Sequence, residues 1–293
     1  MKPEDIDPQV YALYDEYCHS EMPRREFMQR ASMIVVAGGS ALAMAEALVP
    51  QYAKAQTISF TDKRIKPTYV TYPSPGGNAD EIRGYLVEPE GDGPFPAVLI
   101  VHENRGLNPY IEDVARRAAV AGFLALAPDA LSPLGGYPGN DDDGKVMQRK
   151  LDRQKIFTDM LNGAKFVKAH EKSTGKLGAT GFCFGGRVTN FLAVEMGGDL
   201  SAAAPFYGTA PDIAKVGNIG AKVVVHYAED DPRVNATRAD YEAALKSNNV
   251  DFEMHTYPGT NHGFHNNSTL RYNKDAATLA WDRTIKLFKD TLA

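Results

Sequence analysis

The pentapeptide Gly181-Phe182-Cys183-Phe184-Gly185 most constrains how this chain can fold. A short apolar stretch precedes it, and a helical pattern from about Arg187 to Met196 follows it. This is the order of the G-x-S-x-G nucleophile elbow, with cysteine in place of serine. The glycines leave room where a strand turns abruptly into a helix, and the central side chain stands near the helix N-terminus, which favours a thiolate. The pattern predicts a catalytic Cys183, and the alternative is an inert cysteine in a glycine-rich turn.

Strand and helix patterns alternate along the chain downstream of Lys66. Two alternating stretches, 68–72 and 82–88, predict an antiparallel pair, and the continuous apolar run 97–102 is typical of a buried parallel strand. Further strands are predicted at 123–129, 202–207, 221–228 and 252–257, and helices at 111–121, 147–170, 236–247 and 273–291. The sequence therefore predicts an α/β fold with a mostly parallel central sheet flanked by helices.

Composition excludes several other classes of protein. The formal net charge of -5 offers no basic surface for nucleic acid. Two cysteines, Cys18 and Cys183, and the lack of any C-x-x-C pair argue against a disulfide framework and a thiolate metal site. The run Asp141-Asp142-Asp143 lacks the spaced ligands of a calcium loop. We therefore expect no metal and no cofactor. We interpret residues 131–145 as a long loop, either a lid or a solvated connection.

The first 55 residues differ in character from the domain predicted at 56–293. Arg24-Arg25, the moderately apolar run 33–50 and the small residues before Gln56 resemble a twin-arginine export signal cleaved after Ala55. Glu46 within the run argues against a signal, as does the excess of acidic over basic side chains in residues 1–32. The run is too short and too polar for a stable membrane span.

The alternative for residues 1–55 is a retained helical extension. It would pack on the main domain or on a second subunit, and in the latter case it would support a homo-oligomer. The features together favour export, which would make the protein periplasmic or exported. Without processing, the protein would be cytoplasmic.

A general base and an acid that orients it are predicted downstream of the elbow. One strand ends in the acidic turn Glu229-Asp230-Asp231, and the next is followed by His262. In the fold that carries this elbow, the order along the chain is nucleophile, acid, histidine. Pro232 favours Asp231 over its two acidic neighbours, but the sequence leaves that choice open.

Two backbone amides are predicted to stabilise the oxyanion of an acyl-transfer reaction. The amide of Phe184 directly follows the nucleophile, and Asn104 in the loop after His102 is our choice for the second. Glu103 in the same loop is unusual, because a carboxylate beside a thiolate raises the pKa of the thiol. The alternative for Glu103 is a surface ion pair with Arg105.

These residues resemble the dienelactone hydrolases (carboxymethylenebutenolidases), which have the α/β-hydrolase fold. The likeness rests on residues 181–186, Asp231, the segment His262-Gly263-Phe264 and the strand end His102-Glu103, and it spans roughly residues 68–292. It implies that Cys183 attacks a carboxylic ester or lactone to form an acyl-cysteine, while His262 exchanges protons and Asp231 orients His262. It also implies that Glu103 keeps the resting thiol protonated until substrate displaces it.

The resemblance is weakest where the substrate would bind. The family holds a substrate carboxylate with arginines, one of them four residues beyond the histidine, where this chain has Asn266. The candidate substrate contacts in this chain are Arg105, Tyr137, Arg149, Arg153 and Phe264. We expect a small-molecule ester or lactone substrate of unknown identity. The alternatives are an acyltransferase with the same triad and a non-catalytic, ligand-binding relative.

Overall fold

A computed structural model describes residues 5–20, 22–36 and 40–293. Part of the apolar run 33–50 therefore lies outside the described residues. The centre of the molecule is an eight-stranded sheet in the order β1-β2-β4-β3-β5-β6-β7-β8. Its strands are β1 (Ile65–Pro73), β2 (Glu81–Pro89), β3 (Phe95–Val101), β4 (Leu124–Pro128), β5 (Ser173–Phe182), β6 (Ala202–Phe206), β7 (Lys222–Asp230) and β8 (Phe252–Asn261).

Among the eight strands of this sheet, β2 runs opposite to the other seven. β1 pairs with β2 and β2 pairs with β4 in antiparallel registers, whereas the other neighbours are parallel. Residues 97–101 of β3 are fully buried, because helices cover both faces of a parallel sheet. The predicted α/β fold with a mostly parallel sheet is confirmed.

Further helices follow β1 and β2 in the chain. They are α5 (Pro109–Val120), α6 (Asp141–Lys150), α7 (Arg153–Lys168), α8 (Phe184–Met196), α9 (Pro232–Asn235), α10 (Arg238–Ser247) and α11 (Lys274–Leu292). Met160 of α7 and Leu192 of α8 belong to the hydrophobic core on one face. Val114 of α5 and Phe288 of α11 belong to the core on the other face. In the described part of the chain, the helices that precede β1 are α1 (Pro8–His19), α2 (Arg24–Ser32), α3 (Ala41–Leu48) and α4 (Tyr52–Ala55).

The prediction of one helix at 147–170 is wrong, and so is that of a continuous loop at 131–145. Asn140 caps α6 by accepting the amide of Asp143 at 2.9 Å, and three acidic residues in the first turn complement the helix dipole. The chain leaves the helix at Leu151, and Asp152 starts α7 by accepting the amide of Gln154 at 2.8 Å. Two capped helices therefore replace the loop and the long helix.

The N-terminal helices form a small core of their own. The ring of Tyr17 stacks on that of Phe27 with centroids 4.7 Å apart, and Tyr14 and Leu48 join the same cluster. Arg24 and Arg25 are exposed at the start of α2, and the export signal stays a prediction. Among the described residues, no helix combines the length and the apolar character needed to cross a membrane.

Candidate active site

Cys183 lies at the turn between β5 and α8 with φ 57° and ψ -111°. A residue other than glycine rarely adopts a positive φ, and such strain is found preferentially at functional sites. A Cβ on Gly181 would lie 2.4 Å from the carbonyl oxygen of Gly185, and one on Gly185 would lie 2.2 Å from that of Val101. Glycine is therefore required on both sides of the cysteine. The turn leaves Cys183 half-buried at the carboxyl end of the sheet, where α8 begins.

The loop after β8 brings a histidine with an oriented ring to this cysteine. Nδ1 of His262 lies 2.5 Å from Oδ2 of Asp231, and both side chains are buried. Nε2 of His262 is buried without a hydrogen-bond partner among the described residues. Of the other two acids, which form the end of β7, Asp230 is exposed and Glu229 accepts the amide of Gly259. Of the three acidic neighbours, Asp231 is the one that the structure brings to the histidine.

The electrostatics of Cys183 and His262 favour a thiolate at Cys183. Burial alone would raise the pKa of the Cys183 thiol, but the charge of His262 and a hydrogen bond from His19 outweigh burial and hold that pKa well below its usual range. Burial would lower the pKa of His262, yet the charge of Cys183 and the hydrogen bond to Asp231 raise it to about 9. These directions favour an ion pair at rest, whereas the resemblance implied a protonated resting thiol.

His19, a residue that the sequence reasoning missed, lies beside the cysteine. Its Nε2 is 3.6 Å from Sγ of Cys183, and its ring meets that of His262 edge to face with centroids 5.1 Å apart. Nδ1 of His19 contacts the backbone oxygen of Asp15 at 2.9 Å and the Asp15 carboxylate at 3.2 Å. The available signal was the i, i+4 spacing of Asp15 and His19 on one helix face.

Ligand atoms of His19, Cys183 and His262 lie within 4.8 Å of one another. Thiolate sulfur and imidazole nitrogen are donors that zinc accepts, so this group is where the described part of the chain could hold a metal ion. The same atoms also suit nucleophilic catalysis, because a base beside a thiol activates it for attack on a carbonyl.

Glu103 is buried near the cysteine rather than paired at the surface. Its Oε2 accepts a hydrogen bond of 3.1 Å from Nδ2 of Asn266, the residue at the position where the family has an arginine. Burial raises the pKa of Glu103, and the charge of Cys183 raises it further. Glu103 and Cys183 are therefore coupled electrostatically, and the gating role of Glu103 stays a prediction.

A cavity of about 370 Å³ opens beside Cys183. None of the described residues that line it is acidic. Five are cationic: Lys145, Arg149, Arg153, Arg187 and Arg233. A concave site lined by charges of one sign concentrates ligands of the opposite sign. The cavity therefore suits a small anionic molecule.

The structure places only some of the predicted contacts at this cavity. Arg149 and Arg153 line it, as do Phe184 and Asn104. Phe184 is the first residue of α8, so its amide is among those that have no partner within the helix. Nδ2 of Asn104 donates to the carbonyl of Cys18 at 2.9 Å. The roles of the two backbone amides stay predictions.

Three of the predicted substrate contacts do not line this cavity, and their role in substrate binding stays a prediction. Arg105 is buried, with Nη2 3.1 Å from Sγ of Cys18. The Tyr137 hydroxyl donates to Asp141 at 2.9 Å. Phe264 is fully buried, with its ring centroid 5.5 Å from that of Tyr207. Each of these side chains is committed to internal packing or an internal hydrogen bond, which sequence position alone does not reveal.

The chain is similar to known proteins in sequence and in fold. A model of the dienelactone hydrolase family matches residues 82–292, and a model described as YqhI-like matches residues 1–37. YghX of Escherichia coli (strain K12), provisionally named a hydrolase fragment, is 60% identical over 114 residues, covering 39% of this chain and 97% of YghX. A Synechocystis protein with a provisional carboxymethylenebutenolidase name is 30% identical over 247 residues, covering 78% of this chain and 98% of that protein. The crystal structure of P91, a dienelactone hydrolase-like promiscuous phosphotriesterase from metagenomic libraries, superposes with a TM-score of 0.68 at 25% identity, covering 78% of this chain and 100% of P91.

Proposed function

Because this chain belongs to the dienelactone hydrolase family, whose members are carboxylic ester hydrolases, we propose that it hydrolyses esters or lactones through Cys183, His262 and Asp231. The observation that carries the proposal is the 2.5 Å contact between Asp231 and Nδ1 of His262. That contact leaves the buried Nε2 without a partner, at the ring position that serves a nucleophile. An acyl-cysteine is the proposed intermediate.

The first half of the proposed reaction forms the acyl-enzyme. The Cys183 thiolate attacks the carbonyl carbon, and the carbonyl electrons move to an oxyanion stabilised by the amides of Phe184 and Asn104. When the oxyanion collapses, the bond to the leaving oxygen breaks, and that oxygen takes the proton held by His262. In a lactone the leaving oxygen stays attached to the acyl chain. Asp231 stabilises the imidazolium throughout.

The second half releases the acid. His262, now neutral, takes a proton from water as the water oxygen attacks the thioester carbon. Collapse of the second oxyanion breaks the carbon–sulfur bond and returns the electron pair to Cys183. The thiolate and imidazolium are thereby restored, and one water has been consumed.

The cationic lining of the cavity supports a substrate that carries a carboxylate. Arg153 and Arg187 both line it. Burial lowers the pKa of Arg187, and the charge of Arg153 lowers it further, so the two guanidinium groups repel each other. A bound anion between them would relieve that repulsion. We therefore propose a small anionic ester or lactone as the substrate class.

The test is turnover of p-nitrophenyl acetate and of a dienelactone by the full chain and by Cys183→Ala. We expect the variant to lose at least about 10³-fold in kcat/KM while its circular dichroism spectrum is unchanged. Cys18→Ala serves as the matched cysteine control. Full activity in Cys183→Ala, or no hydrolysis of any ester or lactone by the wild-type chain, would overturn the proposal.

A further inference from the structure

We propose that α1 is a retained part of the active site, in which His19 is a second catalytic imidazole that holds the sulfur of Cys183 as a thiolate. The inference rests on the proposed function, since it assigns a role at the same nucleophile. It goes beyond the triad, because His19 lies outside the part of the chain that the dienelactone hydrolase family model matches.

Two imidazoles lie beside Cys183, and each contacts a carboxylate. Asp231 contacts Nδ1 of His262 at 2.5 Å. The Asp15 carboxylate lies 3.2 Å from Nδ1 of His19, and Nε2 of His19 lies 3.6 Å from Sγ of Cys183. A carboxylate at Nδ1 fixes the orientation of an imidazole and stabilises its protonated form. His19 is therefore arranged to donate a charge-assisted hydrogen bond to a thiolate.

The catalytic domain holds the end of α1 with side-chain donors. The last carbonyls of a helix have no partner within the helix and carry its negative pole. Nζ of Lys145 donates to the carbonyls of Tyr17 at 2.8 Å and of Met22 at 3.0 Å. Asn104 donates to the carbonyl of Cys18 at 2.9 Å, and Arg149 to that of Ser20. Polar groups from the loop after β3 and from α6 thus set the position of the helix that carries His19.

These contacts would be costly to lose. Lys145 is only 2% exposed, and an ammonium group in such a place needs partners. Arg271, also buried, lies over the ring of Tyr14 with its guanidinium carbon 4.8 Å from the ring centroid. Cleavage after Ala55 would remove His19 and the partners of both cations. The polar fit between segment and domain therefore argues that the segment stays attached.

Several charged or titratable groups surround Cys183 and His19, and each of them affects the protonation of these two side chains. Cys183 faces His19 from α1, His262 from the loop after β8 and Glu103 from the loop after β3. His19 faces Asp15 from its own helix and Arg233 from α9, whose Nη2 is 3.2 Å from the same Nε2. If Nε2 accepted a hydrogen bond from Arg233, His19 would be neutral and could not donate to sulfur. The variants below separate these two states.

The experiment measures the rate of iodoacetamide alkylation at Cys183 by mass spectrometry, from pH 5 to 9, in EDTA so that no bound metal contributes. The variants are His19→Asn and Asp15→Asn, with Glu16→Gln as the matched control, since Glu16 is exposed on the same helix and pairs with Arg30. We expect His19→Asn to lower the rate at pH 7 about tenfold and to move the midpoint of the profile to higher pH, because the thiolate loses a cationic donor. Asp15→Asn should shift the midpoint in the same direction by less, and Glu16→Gln should match the wild type.

Three outcomes would overturn the inference. An unchanged alkylation profile in both His19→Asn and Asp15→Asn would make His19 a bystander. Faster alkylation together with faster turnover in His19→Asn would show that α1 obstructs access to Cys183. The third outcome is an intact mass, measured on mature protein from the native host, that corresponds to a chain beginning after Ala55; it would show that His19 is removed. Alkylation is read at the sulfur itself, so failure here is distinct from failure of the hydrolase proposal, which Cys183→Ala tests.

Discussion

His262 and Asp231 are 31 positions apart in the chain, and their side chains meet at 2.5 Å. Asp231 directly follows β7 and His262 directly follows β8, which are neighbouring parallel strands. The carboxyl ends of such strands lie at one edge of the sheet, so the contact follows from the topology. Asp231 also accepts the amide of Val234 at 3.2 Å. This second bond fixes the carboxylate and, through it, the tautomer and the direction of the imidazole.

Replacement of Asp231 by asparagine should lower kcat by about 10³-fold, because an amide neither selects the productive tautomer nor stabilises the imidazolium. The matched control is Asp230→Asn, one residue away and exposed. Its kcat should stay within about twofold of the wild type. Steady-state kinetics with p-nitrophenyl acetate make the comparison. Equal losses in the two variants would contradict the assignment of Asp231.

Glu103→Gln should speed the alkylation of Cys183 by iodoacetamide. A carboxylate near a thiolate disfavours the ionised sulfur, and glutamine keeps the shape and the hydrogen-bonding capacity while it removes the charge. Asn266→Ala, which removes the donor to Glu103 but leaves the carboxylate, is the control for loss of the contact alone. If Glu103→Gln reacts no faster than the wild type, Glu103 has a structural role and does not restrain the thiol.

Arg153→Gln should discriminate between substrates by charge. Loss of one cavity cation should raise KM about tenfold for a p-nitrophenyl ester that carries a carboxylate, such as the hemisuccinate, because a charge-assisted contact is lost. KM for p-nitrophenyl acetate should change less than twofold. Lys246→Gln removes an exposed cation that pairs with Glu242, and it should leave both values unchanged. An equal rise in KM for both esters would remove Arg153 from anion recognition.

The alternation of strand and helix patterns was sufficient to predict the α/β fold with a mostly parallel sheet. Continuous apolar runs mark buried parallel strands, and the ends of such strands meet at one edge of the sheet. Together with the chain order nucleophile, acid, histidine of the fold that carries this elbow, they predicted that Cys183, Asp231 and His262 would lie close together. The elbow was predictable for a local reason. A Cβ at its glycine positions would approach backbone atoms to as little as 2.2 Å, which is too close for any other residue type.

The environment of the cysteine was not predictable in the same way. His19 and Cys183 are 164 positions apart, and no period or motif links a helix end to an elbow across that distance. The burial of Arg105 is likewise a tertiary property, since its partners Cys18 and Asp141 come from distant segments. The starts of α6 and α7 could have been predicted, because Asn140 and Asp152 are ordinary N-terminal helix caps.

Mass spectrometry of the enzyme mixed for milliseconds with p-nitrophenyl acetate tests the central claim most directly. We expect an acetyl adduct on the peptide that contains Cys183, and the adduct should form and disappear at rates no slower than turnover. In Asp231→Asn the adduct should accumulate if deacylation becomes slow. The same adduct should be absent from Cys183→Ala. Product release at the normal rate with Cys183 unmodified throughout would contradict the acyl-cysteine mechanism.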